Sequence, residues 1–294
     1  MTPYQKLLVA CDGSEGSNIA IVHAAILAKK LGTELHAIWV RSRLPHYPET
    51  IDWIDEEEQF AQEFFETIKR RLRQVATDQG ISIRPGMRVG HPAGEIVQLA
   101  RELSSDLIVL GNQGHSRLWG ELLGHTADRV NQHAPCSVLI VRSQQESAQY
   151  RKILIGYDGS PAAEITLRQA LSLAKQLGSK THVLWIHEAQ IRRAGTTNDN
   201  ESFERDWAEH HFSHILRPQI DVASTAAGLR VEPDFRIGNA AQILISEASA
   251  GQFRMLALGH RGFSGIWGRL LGGVADRVSH QALCDVLVVR QKET

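Results

Sequence analysis

Apolar and polar positions alternate along this chain in a way that is repeated once. Lys6-Leu-Leu-Val-Ala-Cys11 is a continuous apolar run, too unbroken for a strand with one face in water, and Lys152-Ile-Leu-Ile-Gly-Tyr157 has the same character. Behind the first run, Ala24, Leu27, Ala28 and Leu31 fall at i, i+3, i+4 and i+7. Behind the second, Ala170, Leu173, Ala174 and Leu177 do the same. Gly32 and Gly178 then stand where a left-handed residue closes a helix. Further strands are predicted ending at Val40, Val89, Leu110 and Val141, and at Ile186, Ile237, Leu258 and Val289.

Between these strands the pattern is helical. Ala61, Phe64, Phe65, Ile68, Leu72 and Val75 form one stripe, and Ala208, Phe212, Ile215 and Leu216 form another, which Pro218 is expected to kink or end. Residues 41–53 and 188–200 read as loops, with Tyr47 and Trp53 as candidate lid residues or surface packing. Shorter helices carry Ile96, Val97 and Leu99, or Ile243 and Leu244. Alternating strands and helices predict an α/β protein with a parallel, doubly wound sheet.

The repeat goes beyond hydropathy. Asp12-Gly-Ser14 recurs as Asp158-Gly-Ser160, and residues 111–142 match 259–290 at roughly 18 of 32 positions. Two duplicated domains, 1–143 and 150–294, are expected, joined by the polar stretch Ser143-Gln-Gln-Glu-Ser-Ala148. A length of 294 residues, 43% apolar and 22% charged, suits two buried cores. The net charge of −1 gives no electrostatic reason to expect nucleic acid or an acidic membrane as partner. No apolar run approaches the roughly 18 residues of a membrane span, and the opening residues read as a strand rather than a secretory leader. Three cysteines without a CxxC fit a reducing compartment, so cytoplasmic residence is the expectation.

The candidate chemistry lies in two glycine loops. Gly111, two residues, Gly114, nine residues, Gly124 follows the apolar run 106–110, and Gly259, Gly262 and Gly272 repeat the spacing behind Met255-Leu-Ala-Leu258. A buried strand, a tight glycine turn and a helix start place free N–H groups around an anion. This spacing, the Asp12-Gly-Ser14 turn and the Ala-Pro-Cys-Ser-Val-Leu-Ile-Val run ending at Val141 resemble the universal stress protein family, across nearly the whole chain.

That resemblance implies two tandem Rossmann-like domains of the adenine nucleotide alpha hydrolase-like kind. Each would be a five-stranded parallel sheet of order 3-2-1-4-5, with ligand beyond the strand carboxyl ends. It implies a stress-response role and an adenine nucleotide (ATP, ADP or AMP, with magnesium as optional companion) in one or both halves. Asp12 and Val40 would face adenine and ribose, with Leu110 beside the base. Gly111, Gly114 and Gly124, with the amides of His125 and Thr126, would hold phosphates. In the second half the implied set is Asp158, Ile186, Leu258, Gly259, Gly262, Gly272, Gly273 and Val274, with Arg261 as a charged addition that tips the balance to this site.

Both loops depart from the family pattern, which has Ser or Thr after the third glycine where this chain has His125 and Gly273. Losing that hydroxyl costs about 1.5–3 kcal/mol, on the order of 10- to 150-fold in affinity. Three readings therefore stand together: a nucleotide-binding regulator, a scaffold or binder of another small molecule, and a slow ATPase. For the last there is no GxxxxGK[ST] lysine and no carboxylate pair beside the loop. Asp12 and Asp158 serve equally well as turn residues. Trp119 and Trp267 read as loop anchors. His210, His211 and His214 have metal-compatible spacing but read better as packing or solvated residues. The last strands, 137–142 and 285–290, are expected to pair antiparallel as an intramolecular pseudo-dimer; a homodimer of the whole chain stays open.

Overall fold

A computed structural model describes residues 4–42, 51–114, 123–142, 150–188, 198–262 and 271–292, without the side chains of 51–57 and 198–201. The chain divides into two compact units, Tyr4–Ala148 with the last three residues, and Gln149–Gln291 with the first three.

In the first unit β1 (Lys6–Ala10) pairs in parallel with β2 (Glu34–Arg41) and β4 (Leu107–Gly111). β2 pairs with β3 (Ile83–Val89), and β4 with β5 (Ser137–Val141), also in parallel. The order is β3-β2-β1-β4-β5, so neighbours diverge between β1 and β4. Crossovers are α1 (Glu15–Leu31), α2 (Ile51–Gln79), α3 (Pro92–Glu102) and α4 (His125–His133). The second unit repeats the order with β6 (Lys152–Gly156), β7 (Lys180–His187), β8 (Val231–Ile237), β9 (Met255–Gly259) and β10 (Asp285–Val289). Its helices are α5 (Pro161–Leu177), α6 (Asn198–His211), α7 (Arg217–Ala227), α8 (Ala240–Ala250) and α9 (Gly273–Gln281).

The stripes read from the sequence bury as expected in α1 and α2, where Ala24, Leu27, Ile68, Leu72 and Val75 lose nearly all exposure. Gly32 and Gly178 take φ of 65° and 69° and end their helices. Three expectations are corrected. The stretch taken as loop to residue 53 is helical from Ile51, and that taken as loop to residue 200 is helical from Asn198. Asp52, Asp55 and Glu56 are acidic residues suited to the positive end of a helix. Pro218 does not end the second stripe. A π-helical turn, Phe212–Leu216, precedes it, and the helix runs on to Ala227. The wider turn removes the i−4 carbonyl clash that proline makes in an α-helix, and Arg217 N–H donates to the Phe212 carbonyl instead. The extra residue rotates the stripe, so Ile215 is exposed while Leu216 and Ile220 are buried.

Candidate functional site

Each unit places its glycine loop where β1 and β4, or β6 and β9, separate, which in an open parallel sheet is where ligands bind. The Asp12-Gly-Ser turn opens the site. Ser14 N–H donates to Asp12 Oδ1 at 2.9 Å, and Ser160 N–H to Asp158 Oδ1 at 3.0 Å. Ser14 Oγ then accepts from Ser17 N–H and caps α1; Ser160 caps α5 through Ala163 N–H. The turn role of Asp12 and Asp158 is thus realised, and it leaves each residue's Oδ2 against the glycine loop. A Cβ built on Gly114 would lie 2.5 Å from Asp12 Oδ2, and one on Gly262 2.3 Å from Asp158 Oδ2.

The loop is pinned at its base. Asn112 N–H donates to the Val141 carbonyl at 3.0 Å, and Gly124 N–H to the Asn112 carbonyl at 2.7 Å. The second unit uses His260 to Val289 and Gly272 to His260 at the same lengths. Gly111 is forced by close approach, since a Cβ there would sit 2.6 Å from the Gly16 carbonyl carbon. A Cβ on Gly273 meets nothing within 4 Å.

Helices α4 and α9 begin differently from α1 and α5. Their N-caps are Gly124 and Gly272, which have no side chain to cap with. Asp128 and Asp276 N–H make the first intrahelical bonds, to the Gly124 and Gly272 carbonyls. The amides of His125 and Thr126, and of Gly273 and Val274, have no partner among the described residues. Orphan amides at the positive end of a helix favour an anion.

All the expected first-half residues line one cavity of about 430 Å³: Asp12, Val40 and Leu110 from the strand ends, and Gly111, Gly114, Gly124, His125 and Thr126 from the loop and α4. The second-half set, Asp158, Ile186, Leu258, Gly259, Arg261, Gly262, Gly272, Gly273 and Val274, lines a cavity of about 110 Å³. Leu258 and Leu244 crowd that site, packing against Gly156 where the first unit has Ala10. Phe64 belongs to the helical stripe read from the sequence, yet it also lines the first cavity, as do Trp39, Arg41 and Phe60, which the sequence had not singled out. Only the partial exposure of that stripe, visible once β2 and α2 are placed, distinguishes the two roles.

Cys11 and His260 are shifted from their ordinary values beside these loops. Burial, aided by the charge of Asp12, pushes the Cys11 thiol up to about 12, so it stays protonated and donates to the Ile38 carbonyl at 3.2 Å. Burial first, then Arg290 and Arg261, lowers His260 to about 4. His211 stacks on Trp207, and His210 on His214. Cys136 is buried and Cys284 half-buried against the second core. Tyr47, Trp119 and Trp267 lie outside the described residues, as does the side chain of Trp53.

Two tandem doubly wound α/β units, each with a glycine loop at its switch point, define the class of protein. The family model described as "Universal stress protein family" matches residues 3–142 and again 149–290. A universal stress protein of Methanocaldococcus jannaschii is 35% identical over 145 residues, covering 49% of this chain and 85% of that protein. One from Mycobacterium tuberculosis is 26% identical, with 97% of each chain covered. The crystal structure of a universal stress protein from Archaeoglobus fulgidus shares the fold with a TM-score of 0.69 at 18% identity, covering 99% of this chain and 98% of that one. The chain belongs to the universal stress protein family.

Proposed function

We propose that this protein is a stress-response regulator that binds an adenine nucleotide, ATP or a close relative, in its first domain. The observation that carries the reading is the uncapped N-terminus of α4 opening onto a cavity of about 430 Å³. That volume falls within the range of about 300–1,000 Å³ typical of small-molecule sites. The phosphates would rest on the His125 and Thr126 amides and the glycine loop, with ribose and base toward Asp12, Val40 and Leu110. Magnesium would enter as the nucleotide's own companion ion.

Two domains, 1–143 and 150–294, are part of this proposal, as is pairing of their apolar last strands as a pseudo-dimer. Cytoplasmic residence goes with it: the three cysteines are free thiols, and no described helix is long and apolar enough to cross a membrane. For the second domain a cavity of about 110 Å³ favours the scaffold reading, because it is below the size a nucleotide needs. The volumes thus weigh toward the first site, against the preference that Arg261 gave the second.

The test is His125→Pro. Proline is tolerated at the first helical position, and Gly124 already has the extended φ of −70° and ψ of 149° that precede a proline. The substitution deletes one phosphate-facing amide while leaving the fold. Titration of the full chain with ATP and magnesium should give about one site, weakened on the order of 10- to 150-fold in the variant. No binding by the wild type, together with no nucleotide in its heat-released extract, would sink the reading.

A further inference from the structure

The first cavity reaches beyond the glycine loop to residues of β2 and α2, and that extension has a chemistry of its own. Side chains alternate along β2, so Ile38 and Val40 face one side of the sheet, with Ile96 and Leu110, while Trp39 and Arg41 face the other. All six line the same cavity, so the cavity wraps over the carboxyl end of β2 into a second lobe.

That lobe is walled by Trp39, Phe60, Phe64 and Arg41. Phe64 seals it against the Asp12-Gly-Ser14 turn: a Cβ on Gly13 would lie 2.8 Å from the tip of its ring. Trp39 and Phe64 have ring centroids 5.2 Å apart, and Phe60 lies 6.4 Å from Phe64 with their planes 18° apart. Phe60 is 69% exposed, a large apolar ring the core does not use. Arg41 Nε is buried with no hydrogen-bond partner among the described residues. Flat apolar rings beside an arginine whose Nε lacks a partner among the described residues suit a planar aromatic group linked to an anion.

In the second unit the corresponding residues contact one another instead of lining the cavity. His187 follows Ile186 as Arg41 follows Val40, and Trp207-Ala208 with His211-Phe212 stands where the first unit has Phe60-Ala61 with Phe64-Phe65. There His187 bonds Glu204 at 2.6 Å and lies 4.9 Å from Trp207, which stacks on His211 at 4.9 Å. None of these residues lines the smaller cavity.

We infer that the first site takes a dinucleotide: an adenine nucleotide whose phosphates carry a second nucleoside, with that second base on Phe60 and Phe64 and a phosphate toward Arg41. This rests on the nucleotide reading above and names the ligand class of that site. A mononucleotide would occupy only the lobe of Val40 and Leu110.

Calorimetric titration of the full chain with ATP and with diadenosine tetraphosphate tests it, because the second probe adds an adenosine and a phosphate to ATP. The dinucleotide should bind at least about tenfold tighter. Phe60→Ala, a change at an exposed ring that spares the core, should weaken the dinucleotide about 5- to 150-fold and ATP less than about twofold. Arg41→Gln should act in the same selective direction. Equal affinity for the two probes, or Phe60→Ala weakening both alike, overturns the dinucleotide assignment and leaves the mononucleotide site standing. Binding of neither probe overturns the nucleotide reading itself.

Discussion

At the second glycine of each loop a methyl group would meet a carboxylate oxygen, and that oxygen is held in place by the turn that positions Asp12 or Asp158. Gly114 and Gly262 are therefore demanded by a neighbour; neither has positive φ. Gly114→Ala should destabilise the protein by about 1–3 kcal/mol in urea unfolding, and much of that loss should disappear on an Asp12→Ala background. Additive losses would show that the contact is not the cause. Gly273 is the opposite case, with open space around its Cβ position. Gly273→Ser restores the hydroxyl that the family pattern places there at little steric cost. If the scaffold reading of the second domain is right, nucleotide affinity there should stay undetectable; a gain approaching 10- to 150-fold would show that the hydroxyl alone was missing. His260 gives a pH dependence. Its folded value of about 4 lies below the ordinary 6.5, so above pH 6.5 it is neutral folded and unfolded and contributes nothing. As pH falls from about 6.5 to about 4 the unfolded chain takes up the proton first, and stability drops. His260→Asn, the residue the first unit has at Asn112, should flatten that part of the stability profile measured by denaturant melts.

Among the elements, the helix starts divide into two kinds. Helices α1 and α5 are capped by Ser14 and Ser160 and serve the fold; α4 and α9 begin at glycine with amides left over. Ser160→Ala should cost about 1 kcal/mol of stability, within a range of about 0.5–2. Because the Asp158 carboxylate still holds its turn, the second cavity should be unchanged; a larger loss would mean that the turn and cap act as one unit. The π-helical turn before Pro218 is the other element with a local cause. It turns the apolar stripe by one residue and brings Ile220 into the core in place of a continued run through Ile215.

For the molecule as a whole, duplication has left two sites that are alike in backbone and unlike in space. The hydrogen bonds that cap the helices and pin the loop bases have matching partners and lengths in the two units, while the cavities differ as about 430 to about 110 Å³. Among the side chains that differ are Arg41 against His187, Phe60 against Trp207 and Phe64 against His211, none of them in the glycine motif. Domains 1–143 and 150–294 made separately should associate when mixed, since each last strand carries a four-residue apolar run, Val138–Val141 or Val286–Val289, that needs a neighbour. Two well-behaved halves that sediment as non-interacting monomers would overturn the pseudo-dimer.

The strands, the helix stripes and the glycine loops were legible in the sequence because each is a local periodicity or a fixed spacing, and the repeat supplied each of them twice. The reach of the α6 stripe past Pro218 was not, because a π-helical turn changes the period without leaving a composition mark. Nor was the contrast between the cavities. It depends on where Phe60 and Arg41, or Trp207 and His187, end up relative to a loop far away in the chain. By itself the sequence determined that Gly111, Gly114 and Gly124 would stand between a buried strand and a helix start, as would Gly259, Gly262 and Gly272. Only the tertiary structure decided that Phe64 and Arg41 line a cavity beside the first turn, and that His187, Glu204, Trp207 and His211 contact one another and line none of the second cavity.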